Sequence, residues 1–237
     1  MNGRLDKNMS VSMVIPFFNE RDYVPLTSAK VCAVLQAITD DYEVILVDDG
    51  STDGSAEIAS ALARQNPRIR LVSHQSNQGL GRALRTGFGA ATRDLVVYTD
   101  MDMPFELDLL REILPLMESC DFLFGKRTGP RESGKRQVLG TGYNVLVRLL
   151  FGVDVKDVNF ALKVFRREIL KELDLQSQGS FIDAELYLGV IRLKKRVKSV
   201  EVAYQPREFG VSSLANWRNI ARILREMLSE FRRRGRI

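Results

Sequence analysis

Leu95-Val96-Val97-Tyr98-Thr99-Asp100-Met101-Asp102 is the stretch that decides the fold. Its first five residues are mostly β-favouring and carry no charge, which predicts a buried parallel strand. Asp100 and Asp102 follow at the C-terminal end, where open α/β sheets bind ligands. Carboxylates that converge there suit a hard divalent cation that also holds phosphates, such as Mg²⁺ or Mn²⁺. On these residues alone, two solvated loop acids are an equally good interpretation.

The sequence before this stretch alternates strands with helices. Strands are predicted at residues 11–15, 43–47, 69–73 and 95–99, with helices at 25–38, 55–65 and from the glycines at 79–81 through Thr92. This order predicts an α/β fold with a Rossmann-like, doubly wound, mostly parallel sheet. Three polar loops would then meet at one edge of the sheet: Phe18-Asn19-Glu20, Asp48-Asp49 and Asp100-Met101-Asp102.

The second half is less regular. Helices are predicted at residues 107–117, 138–151, 181–193 and 216–233, and strands at 120–125, 160–165 and 197–203. A basic loop is predicted at residues 126–136 and a polar loop at 205–214. Because the sequence shows no repeat and no low-complexity linker, we expect a polar tail over residues 1–10 and a single domain over residues 11–237.

Composition excludes several classes of protein. The 45% hydrophobic content is typical of a globular chain, and no apolar run approaches the roughly 20 residues that span a bilayer. The polar first ten residues lack a signal-peptide core, so we expect a cytoplasmic location. Cys32 and Cys120 are too few and too far apart for a disulfide framework or a zinc site. His74 is the only histidine, so oxygen atoms must supply most ligands of any metal.

Positive charge is concentrated in the second half. The net charge is +5, and Lys and Arg cluster at residues 126–136, 192–198 and 218–236. Such a balance is compatible with nucleic acid, an anionic membrane surface or phosphorylated substrates. We expect no nucleic-acid partner, because the basic clusters contain few of the aromatic residues that stack on bases.

The common phosphate-binding fingerprints are absent. The sequence contains no G-x-x-x-x-G-K-[ST], and no G-x-G-x-x-G follows the first strand. Asn77-Gln78-Gly79-Leu80-Gly81 comes third in the alternation, so it is either a tight turn before a helix or a loop that faces a nucleotide.

Four motifs in order resemble the family 2 glycosyltransferases of the GT-A fold, over at least residues 11–106. They are Val14-Ile15-Pro16-Phe17-Phe18-Asn19-Glu20, Val47-Asp48-Asp49-Gly50-Ser51-Thr52-Asp53-Gly54, Asn77-Gln78-Gly79-Leu80-Gly81-Arg82-Ala83 with Gly87, and Asp100-Met101-Asp102. Asp157-Val158-Asn159-Phe160 and Phe181-Ile182-Asp183-Ala184-Glu185 are similar to the polyprenyl-phosphate sugar transferases typified by dolichol-phosphate mannose synthase. The mannose synthases usually follow D-x-D with a metal-binding glutamine, whereas here Met103-Pro104-Phe105-Glu106 follows, and Glu106 or water would take its place.

The resemblance implies a nucleotide-sugar-binding half, residues 11–106, and an acceptor half, residues 107–237. It implies that a nucleoside-diphosphate sugar is bound by Pro16, Phe18, Asn19, Glu20, Asp48, Asp49, Gly79 and Asp100. It implies that Asp100 and Asp102 hold Mg²⁺ or Mn²⁺, and that the catalytic candidates are Asp102, Asp157, Asp183 and Glu185. It implies that phosphate is bound by Arg127, Arg136, Arg207 and Ser212.

The predicted reaction moves a sugar by a single displacement from the nucleotide to a polyprenyl phosphate, either dolichyl or undecaprenyl. Arg forks bind phosphate well, and a phosphate nucleophile needs little deprotonation near neutral pH. One alternative is a family 2 transferase with a glycan or small-molecule hydroxyl acceptor, for which Asp183 or Glu185 would act as the base. A different alternative is a non-catalytic module that binds nucleic acid or anions.

The last predicted helix has an apolar row beside arginines. The row comprises Trp217, Ile220, Leu224, Met227, Leu228 and Phe231. Such a helix can lie at a membrane surface with its Arg side chains reaching anionic headgroups, or it can pack on the sheet as ordinary core. A lipid-linked acceptor favours a peripheral contact with the cytoplasmic face of a membrane.

Overall fold

A computed structural model describes residues 10–129, 134–155, 157–207 and 217–237, without the side chains of residues 134–139, 217 and 218. The strands are β1 Val11–Phe17, β2 Tyr42–Asp48, β3 Ile69–Ser73, β4 Leu95–Thr99, β5 Phe122–Thr128, β6 Leu162–Arg166 and β7 Val197–Ala203. The helices are α1 Tyr23–Ile38, α2 Ser55–Gln65, α3 Leu80–Ala90, α4 Leu110–Ile113, α5 Gly134–Phe151, α6 Ile182–Arg192 and α7 Trp217–Arg234.

The seven strands form one sheet in the order β3-β2-β1-β4-β6-β5-β7. Strands β1 to β4 pair in parallel, and β6 runs antiparallel to both β4 and β5. Because β5 and β7 pair in parallel, they point the same way as β4. The C-terminal ends of six strands and the start of β6 therefore meet at one edge of the sheet. This mixed α/β single domain confirms the predicted fold class.

Apolar side chains pack on both faces of the sheet. One cluster lies under α1 and α2 and includes Val31, Leu35 and Leu46. The other lies under α3, α5, α6 and α7 and includes Val47 and Phe165. β1, β2 and β4 are buried throughout, as expected for central strands that carry helices on both faces.

Several predicted boundaries were wrong. Strand β1 continues through Pro16, which pairs with Val47 of β2 and lies beyond the last residue that pairs with β4. Its missing N–H therefore interrupts no ladder on the β4 side. Residues 107–117 do not form one helix, because 3-10 turns flank the four residues of α4 and Pro115 lies at the start of the second turn.

Two further errors concern basic residues, and a third concerns β6. β5 extends to Thr128, so Lys126 and Arg127 lie in a strand rather than in a loop. α5 begins at Gly134, so the backbone of Arg136 lies in its first turn. Antiparallel hydrogen bonding to β4 and β5 fixes β6 at Leu162–Arg166, two residues later than predicted at its start.

Candidate active site

Asp100-Met101-Asp102 follows β4 directly and lies at the edge of the sheet where the C-terminal ends of six strands meet. The Met101 side chain is buried in the core, and its carbonyl accepts a hydrogen bond from the Thr27 hydroxyl at 2.7 Å. This anchor holds the two flanking carboxylates, Asp100 and Asp102, at the strand end. The Tyr98 hydroxyl donates to Asp100 Oδ1 at 3.0 Å.

The environment of Asp100 is strongly negative. Burial raises the pKa of Asp100 to about 7, and the nearby carboxylates of Asp102 and Asp183 add to the rise. The hydrogen bond from Tyr98 and the charge of Lys163 only partly oppose these effects. A divalent cation at this point would therefore compensate a real excess of negative charge.

Asp102 lies beside a cation that is distant from it in sequence, Arg207 in the segment after β7. Arg207 Nε lies 3.2 Å from Asp102 Oδ2, and Arg207 Nη2 donates to Glu20 Oε1. The Gln205 N–H donates to the Pro104 carbonyl at 2.9 Å, which ties the segment after β7 to the D-x-D loop. Burial raises the pKa of Glu20, although Arg207 opposes the rise. The structure thus brings three of the predicted site residues together.

Glu106 is turned to other partners. Its Oε1 pairs with Lys30, and its Oε2 accepts from the Gln205 amide at 2.8 Å. Hydrogen bonds from Lys30 and Gln205 lower its pKa. The geometry therefore gives Glu106 a role in holding the loop after β7, rather than the place of the missing glutamine.

The loops after β1 and β2 are joined by hydrogen bonds. The Asn19 N–H donates to Ser51 Oγ at 2.9 Å, and the Thr52 N–H donates to Asn19 Oδ1 at 2.8 Å. The Glu20 N–H donates to Ser55 Oγ at 3.0 Å. Phe18 stands out from this framework with 42% of its surface exposed, so its ring is available to a ligand.

The two aspartates after β2 have different surroundings. Asp48 Oδ1 accepts from the Ser51 N–H at 2.9 Å, within the β2–α2 turn. Asp49 Oδ2 accepts from the Gly79 N–H at 2.8 Å, and its Oδ1 accepts from the Gln78 N–H at 3.0 Å and contacts His74 Nδ1 at 2.8 Å. Asp49 therefore organises the β3–α3 loop, and Asp48 holds the β2–α2 turn. The N–H of Gly79 is already donated to Asp49.

Arg127 is fixed at the end of β5 by a bidentate ion pair. Its Nε and Nη2 each donate to Asp157 at 2.8 Å, and its backbone N–H donates to Asp157 Oδ2 at 3.0 Å. The guanidinium also lies 5.3 Å from the Phe160 ring and 5.5 Å from the Tyr204 ring. A guanidinium has five N–H donors, so donors remain for a ligand. Asp157 thus orients Arg127 in this structure.

A buried ion pair lies beneath this arginine. Lys163, 1% exposed, donates to Asp183 Oδ1 and to the carbonyls of Val158 at 2.9 Å and Phe160 at 2.7 Å. Burial raises the pKa of Asp183, and the ammonium of Lys163 opposes the rise. The sequence analysis did not predict this pairing. The available signal was a lone lysine inside an apolar strand.

Glu185 is also buried and fully engaged. Its Oε2 accepts from the Ser177 N–H at 2.8 Å, and its Oε1 accepts from the Gln176 N–H at 3.0 Å and from Arg233 at 2.9 Å. The structure therefore places Glu185 as a link between α6, the preceding segment and α7. The predicted phosphate ligand Ser212 and the side chain of Arg136 lie outside the described residues.

The D-x-D carboxylates fit a cation shared with a phosphorylated ligand. Among the described residues, no group of three or more His, Cys, Asp or Glu side chains is placed to hold a metal ion. Mg²⁺ commonly uses one or two carboxylates and completes its shell with substrate phosphates and water. Asp102, helped by Asp100, would supply the protein ligands in such a site.

Comparison with solved structures defines the class of protein. Glucosyl-3-phosphoglycerate synthase from Mycobacterium tuberculosis, solved with Mn²⁺ and uridine-diphosphate-glucose, superposes with a TM-score of 0.69 at 20% identity. The match covers 97% of this chain and 80% of that one. The likeness shows the fold, which is the GT-A fold.

Comparison of sequences defines the family. The model of glycosyl transferase family 2 matches residues 12–174, and the chain belongs to that family. Glycosyltransferase AglD of Haloferax volcanii is 32% identical over 209 residues, which is 84% of this chain but only 34% of that protein. The undecaprenyl-phosphate mannosyltransferase of Micrococcus luteus is 26% identical over 220 residues, which is 87% of this chain and 88% of that protein.

Proposed function

We propose that the chain transfers a sugar from a nucleoside-diphosphate donor to the phosphate group of a polyprenyl phosphate. The donor would lie between the loops after β1 and β2, near Phe18 and Asp48. Its diphosphate would approach Asp102, where a bound Mg²⁺ or Mn²⁺ would supply charge stabilisation for the departing nucleotide. The acceptor specified in the name of the Micrococcus luteus relative is of this lipid class.

One observation favours a phosphate acceptor over a hydroxyl acceptor. A hydroxyl nucleophile needs a general base, and both predicted bases are engaged: Asp183 by Lys163, and Glu185 by backbone N–H groups and Arg233. A phosphate monoester has a second pKa of about 6 and is already a good nucleophile near neutral pH. It needs cations instead, and Arg127 and Arg207 lie at the same edge of the sheet as Asp102.

The test compares acceptors that differ only in the phosphate. Purified protein in detergent is given a panel of radiolabelled nucleotide sugars with polyprenyl phosphate, with the unphosphorylated polyprenol, or with neither. We expect an organic-extractable product only with polyprenyl phosphate, lost with EDTA and restored by Mg²⁺ or Mn²⁺. Equal transfer to the polyprenol would overturn the phosphate acceptor, and transfer that survives EDTA would overturn the metal.

We further propose that α7 contacts a membrane surface. The structure describes no helix with both the length and the apolar character needed to cross a bilayer. Apart from Trp217, whose side chain lies outside the described residues, the predicted apolar row divides in two: Met227 and Phe231 pack into the core, whereas Ile220, Leu224 and Leu228 are 36%, 41% and 46% exposed. The exposed three recur every fourth residue and form a row along one side of the helix.

Arginines accompany the exposed row of α7. Arg222, Arg225 and Arg232 are exposed, whereas Arg233 and Arg234 pair with carboxylates of the protein. Each cation near an anionic surface contributes about 1 kcal/mol, so a weak, salt-sensitive attachment is expected. Co-sedimentation with anionic and neutral vesicles at low and high salt tests it. Equal, negligible pelleting in every condition would reject the contact, and Leu224→Ser should weaken it.

A further inference from the structure

A pocket of about 290 Å³ lies where α3, the segment before α6 and α7 meet. Its lining is polar and cationic: Asn77, Gln78, Arg82, Gln178 and Arg222. Two guanidinium groups and three carboxamides therefore face one space, and the lining contains no carboxylate. None of these side chains belongs to the donor or acceptor groups proposed above.

Backbone hydrogen bonds hold the walls of this pocket together. The Gln178 carbonyl accepts from the N–H groups of Gly81 at 2.8 Å and Arg82 at 3.3 Å, which joins the segment before α6 to the first turn of α3. The N–H groups of Gln178 and Gly179 each donate to Glu226 Oε1 at 3.0 Å, which joins the same segment to α7. Hydrogen bonds therefore fix the three walls of the pocket relative to one another.

Two glycines make room for Arg222. A Cβ at Gly79 would lie 3.3 Å from Arg222 Nη1 and 2.6 Å from the Gln178 carbonyl oxygen, and Gly79 also has a φ of +95°. A Cβ at Gly179 would lie 3.0 Å from Arg222 Cδ. The arginine side chain therefore lies close against backbone, where larger residues would displace it.

Neither Arg82 nor Arg222 forms an ion pair within the described ranges. Glu226, one turn after Arg222 on α7, directs Oε1 to the N–H groups of Gln178 and Gly179, and its buried Oε2 has no hydrogen-bond partner among the described residues. At the start of α3, the Gly79 N–H donates to Asp49, and the Gly81 and Arg82 N–H groups donate to the Gln178 carbonyl. The side chains therefore supply most of the donors that a ligand in the pocket would meet.

We propose that this pocket binds a phosphate group. Arginine forks recognise phosphate by paired, charge-assisted hydrogen bonds, and carboxamides supply further donors. Arg222 lies two residues from both Ile220 and Leu224, and therefore on the other side of α7 from that exposed row. The phosphate can belong to a lipid headgroup or be free in solution, and the two arms of the experiment distinguish these sources. With a lipid headgroup, the inference rests on the membrane contact proposed for α7 and assigns a second lipid, distinct from the acceptor.

The experiment compares two double variants with the same change in charge. Arg82→Ala/Arg222→Ala removes the pocket arginines, and Arg225→Ala/Arg232→Ala removes two exposed arginines of α7 outside it. Binding to phosphatidylcholine vesicles with and without phosphatidic acid is measured, and thermal melts confirm that both variants fold. If the source is a lipid headgroup, the pocket variant should lose at least about tenfold more affinity for the anionic vesicles than the control variant. Equal losses would rule out a lipid headgroup, and equal losses in the soluble arm as well would overturn the pocket.

A soluble arm separates the two sources of phosphate. Inorganic phosphate and glycerol phosphate are titrated without vesicles and followed by calorimetry on wild type and both variants. Binding that only the pocket variant loses supports the phosphate site, and a free phosphate is the source if vesicle binding is unaffected. A matching loss of nucleoside-diphosphate affinity would assign the arginines to the donor site and overturn a separate pocket. Neither arm needs turnover, so a failed transfer assay would leave this result independent.

Discussion

Replacing Lys163 with Met should greatly lower the urea concentration at which half of the protein is unfolded. The lysine is 1% exposed, and its ammonium bonds Asp183 and the carbonyls of Val158 and Phe160. Removing it leaves the buried Asp183 carboxylate without its cation, and losing one member of a buried pair costs about 3 to 5 kcal/mol. That is a large share of the roughly 5 to 15 kcal/mol that stabilises a domain. Urea unfolding followed by circular dichroism measures the loss.

The matched control is Lys195→Met. Lys195 pairs with Glu172 at 2.7 Å, but both side chains are partly exposed. Exposed pairs contribute little to stability, so the control should unfold close to wild type. A similar midpoint shift in both variants would mean that burial of the Lys163 pair has no special energetic weight.

The double variant Lys163→Met/Asp183→Asn separates charge from position. Removing both charges should recover most of the lost stability, because an uncharged replacement of a buried pair is often neutral. The carbonyls of Val158 and Phe160 would still lack their donor, so the turn that carries Asp157 and orients Arg127 should remain loosened. We therefore expect the KM for polyprenyl phosphate to stay raised while stability returns. Recovery of both together, or of neither, would refute this account of Lys163.

Four further changes test the site and the fold. Asp102→Asn should lower turnover by about 100-fold or more with an unchanged melting temperature, and near-normal turnover would remove Asp102 from the metal site. Arg127→Ala should raise the acceptor KM by about 10- to 100-fold, whereas Arg196→Ala, which breaks a similar pair with Asp121 at the opposite edge of the sheet, should leave kinetics unchanged. Arg207→Ala should bind Mn²⁺ more tightly by calorimetry while it lowers turnover; unchanged Mn²⁺ affinity would show that Arg207 does not compete for Asp102. Glu43 has its pKa lowered from 4.5 to about 2, because hydrogen bonds from Ser12, Arg70 and Thr92 outweigh the effect of burial. Its stabilisation is present above pH 4.5 and is lost as the pH falls toward 2, so unfolding of Glu43→Gln and wild type should converge over that range.

The first half of the fold could be predicted because local patterns determine it. Each of β1 to β4 is a short apolar run, and each is followed by turn residues and a helical period, so the parallel order follows from general rules of connection. The edge at which Asp48 and Asp100 meet is a consequence of that order. The ends of β3, β4 and β7 matched the prediction to the residue because charged or polar residues follow each apolar run.

The second half depends on contacts that no local pattern contains. The reversal of β6 places Asp157 beside Arg127, although thirty positions separate them in sequence. Lys163 and Asp183 are twenty positions apart and meet only once β6 and α6 pack together. Residue types were sufficient to nominate Asp157, Asp183 and Arg127. The pairing of Asp157 with Arg127 and of Asp183 with Lys163 requires the folded structure.

These pairings bear on how a charged ligand can enter a site whose carboxylates are mostly paired. Asp102 and Glu20 share Arg207, Asp157 holds Arg127, and Asp183 holds the buried Lys163. A nucleoside diphosphate with a divalent cation brings one positive and one negative centre together, so the net charge of the site changes little on binding. Arg207 is the cation that can change partners at the lowest cost in free energy, because Arg207 and its two carboxylate partners are partly exposed, whereas Lys163 and Asp183 are buried. The exchange of Arg207 from carboxylate to phosphate would release Asp102 for the cation at the moment when the diphosphate arrives.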